Sequence, residues 1–164
     1  MTWTRNKHLL LILTAILLNT ACYTSRSNGT ETYYKVIKVV DGDTFWIDDG
    51  TEKGRKVRLI GVDAPESRRT GRKEAGYYGK ESKDFLARLL SGNEVRIEYD
   101  VDPTDRYGRA LAYVYLEDGT FVNAELVKQG FAMVMTVPPN VKFADEFVRH
   151  QKNAREHQRG LWAK

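Results

Sequence analysis

The sequence predicts a small five-stranded β-barrel with helices packed on one side. Three observations carry that reading. Short runs rich in β-branched and aromatic residues recur between turn signals, a helical run interrupts them after the third, and further helical runs follow the last. The 164 residues suffice for one domain with one core, and hydrophobic and charged fractions of 41% and 29% exclude a fibrous or disordered chain.

Taken in order, Tyr33-Tyr34-Lys35-Val36-Ile37-Lys38-Val39-Val40 reads as the first strand and Thr44-Phe45-Trp46-Ile47 as the second. Asp48-Asp49-Gly50 supplies turn chemistry before a third strand over 56–62, completing a meander. A helix follows Gly79, because Phe85, Leu86, Leu89 and Leu90 recur at helical spacing and Gly92 supplies a stop. Residues 94–99 alternate polar and apolar as a strand does. Residues 110–116 and 120–122 form a hairpin across Asp118-Gly119, and a short helix covers 123–129 before Gly130. Phe143, Ala144, Phe147 and Val148 mark a last helix starting near Asn140, with Gly160 beyond its end.

The first 21 residues stand apart. Arg5, Lys7 and His8 precede an almost unbroken apolar run over 9–18. About ten apolar residues are too few to span a bilayer, but they suit the core of an export signal. The expected organisation is a signal peptide over 1–21, a polar tether over 22–32 and a folded domain over 33–164. Cys22 is the single cysteine, which rules out an intrachain disulfide. Preceded by Thr20-Ala21, it resembles the lipid-modified cysteine of bacterial lipoproteins, although Asn19 stands where an aliphatic residue is usual. The protein is therefore expected outside the cytoplasm, held to the membrane of the cell envelope by a lipid on Cys22; cleavage with full secretion is the alternative. Removing Arg5 and Lys7 from the 26 basic residues leaves 24 against 22 acids, a formal balance of +2. A nucleic-acid partner must then be argued from local clustering and not from bulk charge.

The most informative cluster joins two acidic runs and one cation. Asp41-Gly42-Asp43-Thr44 closes one apolar run, Asp63-Ala64-Pro65-Glu66 closes another, and Arg58 sits inside the second run. An unpaired guanidinium among aliphatic residues is too costly to keep, so an anion must meet it. Carboxylates beside it would repel a bare anionic substrate, and a divalent cation between them removes that conflict. Asp43, Asp63 and Glu66 are hard oxygen donors suited to calcium or magnesium, and the carbonyl of Ala64 is a further donor. Taken singly, each acidic run is ordinary turn vocabulary. Arg109, in Asp105-Arg106-Tyr107-Gly108-Arg109, follows a glycine turn at the start of a strand and is a second candidate cation over the same cleft. Two guanidiniums on one phosphate would stabilise the extra charge of a pentacoordinate transition state, while Glu66 orients or deprotonates the attacking water.

In this order the residues resemble the staphylococcal nuclease family. The likeness runs from about Tyr33 to Trp162 through Val40-Asp41-Gly42-Asp43-Thr44, Arg58-Leu59-Ile60-Gly61-Val62-Asp63-Ala64-Pro65-Glu66, Asp105-Arg106-Tyr107-Gly108-Arg109-Ala110-Leu111-Ala112-Tyr113 and Gly160-Leu161-Trp162. The resemblance implies an OB-fold barrel with about three helices and calcium-dependent cleavage of DNA and RNA with little sequence preference, leaving 3′-phosphate ends. It implies calcium ligation by Asp43, Asp63 and the Ala64 carbonyl, Glu66 as general base, Arg58 and Arg109 on the scissile phosphate, and Arg106 and Tyr107 on a neighbouring phosphate or nucleotide. The chain departs from the family in one stretch. Where the prototype places a pair of pocket tyrosines, this chain has Met133-Val134-Met135-Thr136-Val137-Pro138, so altered nucleotide preference or weaker binding is expected. A non-catalytic nucleic-acid-binding module of the envelope is the alternative, and the intact set of acids and arginines argues against it. A monomer is expected.

Overall fold

The computed structural model describes residues 31–69 and 74–163; the expected signal segment and Cys22 lie outside them. Among the described residues no helix is long and apolar enough to cross a membrane. The order is β1 (Tyr34–Asp41), β2 (Thr44–Ile47), β3 (Arg55–Leu59), β4 (Val62–Asp63), α1 (Gly79–Leu90), β5 (Glu94–Glu98), β6 (Ala110–Leu116), α2 (Val122–Lys128), β7 (Met133–Val134), α3 (Ala144–Glu156) and a 3-10 turn, Gly160–Trp162. β1, β2, β3, β6 and β5 close a barrel in that order, and β4 and β7 form a separate two-stranded ribbon. The barrel with helices that the sequence predicts is the observed architecture.

Closure depends on β1, which pairs with β2 and, through Tyr34 and Lys35, with β5. Register shifts between Val36 and Lys38 and between Val39 and Asp41 bend it, as bulges do where few strands must roll into a barrel. β3 and β6 run parallel, with Arg58 opposite Leu111. α1 and β5 supply the long connection that parallel neighbours need. β6 is buried on both faces: Ala112 and Val114 point into the barrel, while Tyr113, 1% exposed, lies edge-on to Phe143 at 4.6 Å beneath the helices.

Three segments differ from the sequence expectation. The third strand stops at Leu59, because Ile60-Gly61 turns the chain and Val62 and Asp63 pair with Val134 and Met133 instead. Gly61 has φ +78°, and a Cβ there would lie 2.5 Å from the Phe147 ring. Only glycine allows this bend so close to α3. Residues 120–122 do not return as a strand. One bridge, Tyr115 to Phe121, is formed before Val122 opens α2. The last helix starts at Ala144, because Asn140 is used as a tie: its Oδ1 accepts the Asp102 amide and its Nδ2 donates to the Asp102 carbonyl, both at 2.8 Å.

Candidate active site

The site begins where β1 turns into β2. A Cβ on Gly42 would lie 2.6 Å from the Ala64 Cβ and 2.8 Å from the Ser82 Cβ. The missing side chain lets the first acidic turn press against the second. Asp43 seals that contact, its Oδ2 accepting the Ala64 amide at 2.9 Å and its Oδ1 accepting the Thr44 hydroxyl at 2.8 Å.

Arg58 faces the junction from β3. Val57 and Leu59, its strand neighbours, fill the barrel, so alternation sends the guanidinium to the outer face. It is 8% exposed. Its Nη1 lies 2.7 Å from Asp43 Oδ2 and donates to the Val62 carbonyl at 2.9 Å, while Nη2 reaches Asp63 Oδ1 at 2.8 Å. The cation inside an aliphatic strand is thus explained by two acids, one from each turn. Burial raises the Asp43 carboxyl above the ordinary aspartate value, outweighing Arg58, the Ala64 amide and the Thr44 hydroxyl.

Glu66 lines the same cleft, and beside it stands a residue that sequence reasoning reads only as a turn former. Asp41 accepts the amides of Ser67 at 2.9 Å and Gly42 at 3.1 Å. Burial and then a hydrogen bond with Glu66 push its carboxyl above the ordinary value. Two carboxyls so close resist carrying full charge together without a cation. The only signal in the sequence is an acid one glycine away from a candidate ligand.

Arg109 arrives from the other parallel strand. Val57 is opposite Ala110 and Arg58 opposite Leu111, so Arg109, the residue before β6, sits at the same end of the sheet as Arg58. Asp105 aims it. The Asp105 Oδ2 accepts from both Nε and Nη2 of Arg109 at 2.6 Å, and Oδ1 accepts the amides of Tyr107 at 2.8 Å and Arg109 at 3.0 Å. Burial works against the Asp105 charge, but these four donors together hold its carboxyl below the ordinary value. Sequence reasoning assigns this aspartate no role.

Asp41, Asp43, Asp63, Glu66, Arg58 and Arg109 line one cleft of about 350 Å³, together with Ala64. An adjoining cavity of about 400 Å³ shares both arginines and adds Arg106, Tyr107 and an apolar wall of Met135, Val137 and Pro138. Tyr107 is 67% exposed, with the Arg106 guanidinium 4.8 Å above its ring. All the described candidate residues therefore meet across two adjoining cavities, and the wall that Met135, Val137 and Pro138 give the second is aliphatic and thioether. The donor set fits a hard divalent cation, since every acidic lining group offers oxygen and no His or Cys lines the cleft. Among the described residues no three His, Cys, Asp or Glu side chains are gathered tightly enough to hold an ion alone. Backbone carbonyls and water would complete the shell, as such cations allow.

A family model described as staphylococcal nuclease homologue matches residues 56–164, the stretch holding Arg58, Asp63, Glu66 and Arg109. This chain belongs to the staphylococcal nuclease family. Thermonuclease of Staphylococcus hyicus is 43% identical over 138 residues, which cover 84% of this chain and 79% of that protein. Thermonuclease of Staphylococcus intermedius is 43% identical over 130 residues, 79% of this chain and 75% of the relative. A protein of Escherichia coli O157:H7 named as an uncharacterized endonuclease is 35% identical over 132 residues, 79% of this chain and 76% of its own length. The closed barrel, with three helices among the described residues, is of the family's OB-fold type.

Proposed function

We propose that this staphylococcal nuclease homologue hydrolyses phosphodiester bonds of DNA and RNA with calcium, with little sequence preference, and leaves 3′-phosphate ends. The observation that carries this reading is the meeting of Arg58 and Arg109 with Asp43, Asp63 and Glu66 in one cleft. A protein that only binds a strand has no use for a carboxylate placed to take a proton beside two phosphate-binding arginines. The names of its thermonuclease and endonuclease relatives support the same reading.

Asp43, Asp63 and the Ala64 carbonyl would hold calcium, which supplies the positive charge that lets a phosphodiester approach a cluster of acids. Arg109 and Arg58 donate hydrogen bonds to the phosphate oxygens and gain strength as negative charge builds on them. Glu66 takes a proton from a water whose oxygen attacks phosphorus. The new P–O bond forms as the bond from phosphorus to the 5′ oxygen breaks, the 5′ oxygen takes a proton from solvent and leaves as a hydroxyl, Glu66 returns its proton to solvent, and the phosphate stays on the 3′ side. Met135, Val137 and Pro138 offer a base dispersion contact without an aromatic face, so nucleotide preference differs from that of a tyrosine-lined pocket.

Plasmid DNA incubated with the protein is expected to be cut with calcium and spared with a chelator. Glu66→Gln is expected to lower kcat by about a hundredfold to ten-thousandfold, the usual range for loss of a general base. Full activity in chelator would remove calcium from the reading, and retention of DNA without cleavage would make the chain a binding module. We also propose that the protein is exported and tethered through Cys22. The position of the cysteine after an apolar run supports this, and Cys22→Ala is expected to move the protein from the membrane fraction to the medium. An unchanged membrane fraction would overturn the anchor.

A further inference from the structure

The outer face of the barrel next to the cleft carries residues that the phosphate chemistry does not use. Lys38 on β1 stands opposite Trp46 on β2, and Trp46 stands opposite Lys56 on β3. Residues opposed in neighbouring strands share a face, so the three form one row. Thr44 and Arg58, two places further along the same strands, are opposed in the same way, and both line the cleft together with Lys56. The row therefore runs out of the cleft. At its far end Lys38 lines a cavity of about 600 Å³ beside the end of α1, where Lys35 and Lys83 face a single acid, Glu94.

Trp46 is half-buried, and the Lys38 ammonium lies 5.6 Å from the centre of its ring. Neither Lys38 nor Lys56 forms an ion pair among the described residues. An aromatic ring between two lysines that form no ion pair among the described residues, continuous with the cleft, is the composition of a single-strand binding surface.

We propose that this row is a second contact for the substrate, in which Trp46 stacks a base of single-stranded nucleic acid and Lys38 and Lys56 hold the flanking phosphates. The inference rests on the nuclease reading for its occupant. An acidic peptide would match the charge but offers no planar face, and duplex DNA keeps its base faces stacked within the helix. Magnitudes favour exchange at the ring. An exposed lysine over an aromatic is worth about two- to fivefold in an equilibrium, whereas a stacked base is worth about five- to a hundredfold. An incoming base therefore displaces Lys38 from the ring, and the freed ammonium meets a phosphate. The site then prefers single strands to duplexes, and strands long enough to reach from the cleft to Trp46.

The test uses full-length protein carrying Glu66→Gln, so that binding is read without cleavage. Affinities for a labelled oligothymidylate of about twelve nucleotides and for a single labelled thymidine nucleotide are compared by fluorescence anisotropy, the first long enough to span a typical single-strand site and the second too short to occupy the cleft and Trp46 together. Trp46→Ala is expected to lower the long-to-short affinity ratio about tenfold, and Trp46→Phe to keep most of it. Lys38→Ala is expected to flatten the slope of log K against log salt for the long strand by about 0.7, one phosphate contact's worth. A ratio in Trp46→Ala equal to that of the parent overturns the row. If Trp46→Ala fails to fold, a parental salt slope in the exposed-site variant Lys38→Glu overturns it as well. The nuclease reading fails separately: a parent protein that cuts nothing but shows the Trp46-dependent ratio keeps the row and loses the enzyme.

Discussion

Arg109→Ala is expected to lower kcat by about a thousandfold or more while calcium affinity changes little. A guanidinium that meets charge developing on a transferring phosphoryl group is worth about 10³–10⁵ in rate, whereas Arg109 contributes no ligand atom to the proposed ion. Arg109→Lys is expected to recover little, because one ammonium cannot reproduce a forked pair of donors. Asp105 sharpens the prediction. Its Oδ2 accepts from Nε and Nη2 of Arg109 at 2.6 Å, so Asp105→Ala frees the guanidinium to wander. That variant is expected to lose about ten- to a hundredfold in kcat, in keeping with the cost of misplacing a positioned group. In an Arg109→Ala background the same change is expected to cost much less, since Asp105 then holds only the turn through the Tyr107 and Arg109 amides. Equal losses of turnover and calcium affinity in Arg109→Ala, or additive losses in the double variant, would contradict these roles. Both are read from initial rates and calcium titrations on the same preparations.

Arg58→Ala is expected to cost stability as well as activity. Asp43 lies in the same buried site, and Arg58 is its counter-charge at 2.7 Å. Removing one member of a buried ion pair typically costs about 3–5 kcal/mol, a large share of what a domain of this size has to lose. Urea denaturation is expected to show the lower midpoint. Asp43→Asn introduced into Arg58→Ala is expected to restore part of the loss, because the orphaned charge is then gone. A midpoint unchanged in Arg58→Ala would mean that the pair contributes nothing to holding the two acidic turns together.

The barrel was legible in the sequence because its strands carry β-branched and aromatic residues between strong turn signals. The misread segments share a physical cause. Asp118 does build a turn, its Oδ1 accepting the Thr120 amide at 2.8 Å, but the path of the chain beyond Thr120 is decided by distant residues. Phe121 stacks on Tyr115 at 4.6 Å and meets Phe143 at 5.0 Å, and α2 starts at once. Turn chemistry cannot say whether the returning segment pairs or coils. Gly61 looked like part of a strand because Val62 continues the apolar run, yet the bend there answers to Phe147, far along the chain. In the site, Arg58 could be singled out because an isolated charge in an aliphatic run demands a partner. Asp41 and Asp105 were hidden for the opposite reason. Acids at turns are common, and their roles appear only when amides such as those of Ser67 and Tyr107 are seen to converge on them.

The side-by-side, same-direction pairing of β3 and β6 has a biological corollary. The two arginines of the cleft, Arg58 and Arg109, come from distant stretches of polypeptide and become neighbours only when those strands zip together. Until then no partial fold holds the complete cleft, so a chain that has not brought β6 alongside β3 is expected to lack the activity proposed for the folded protein.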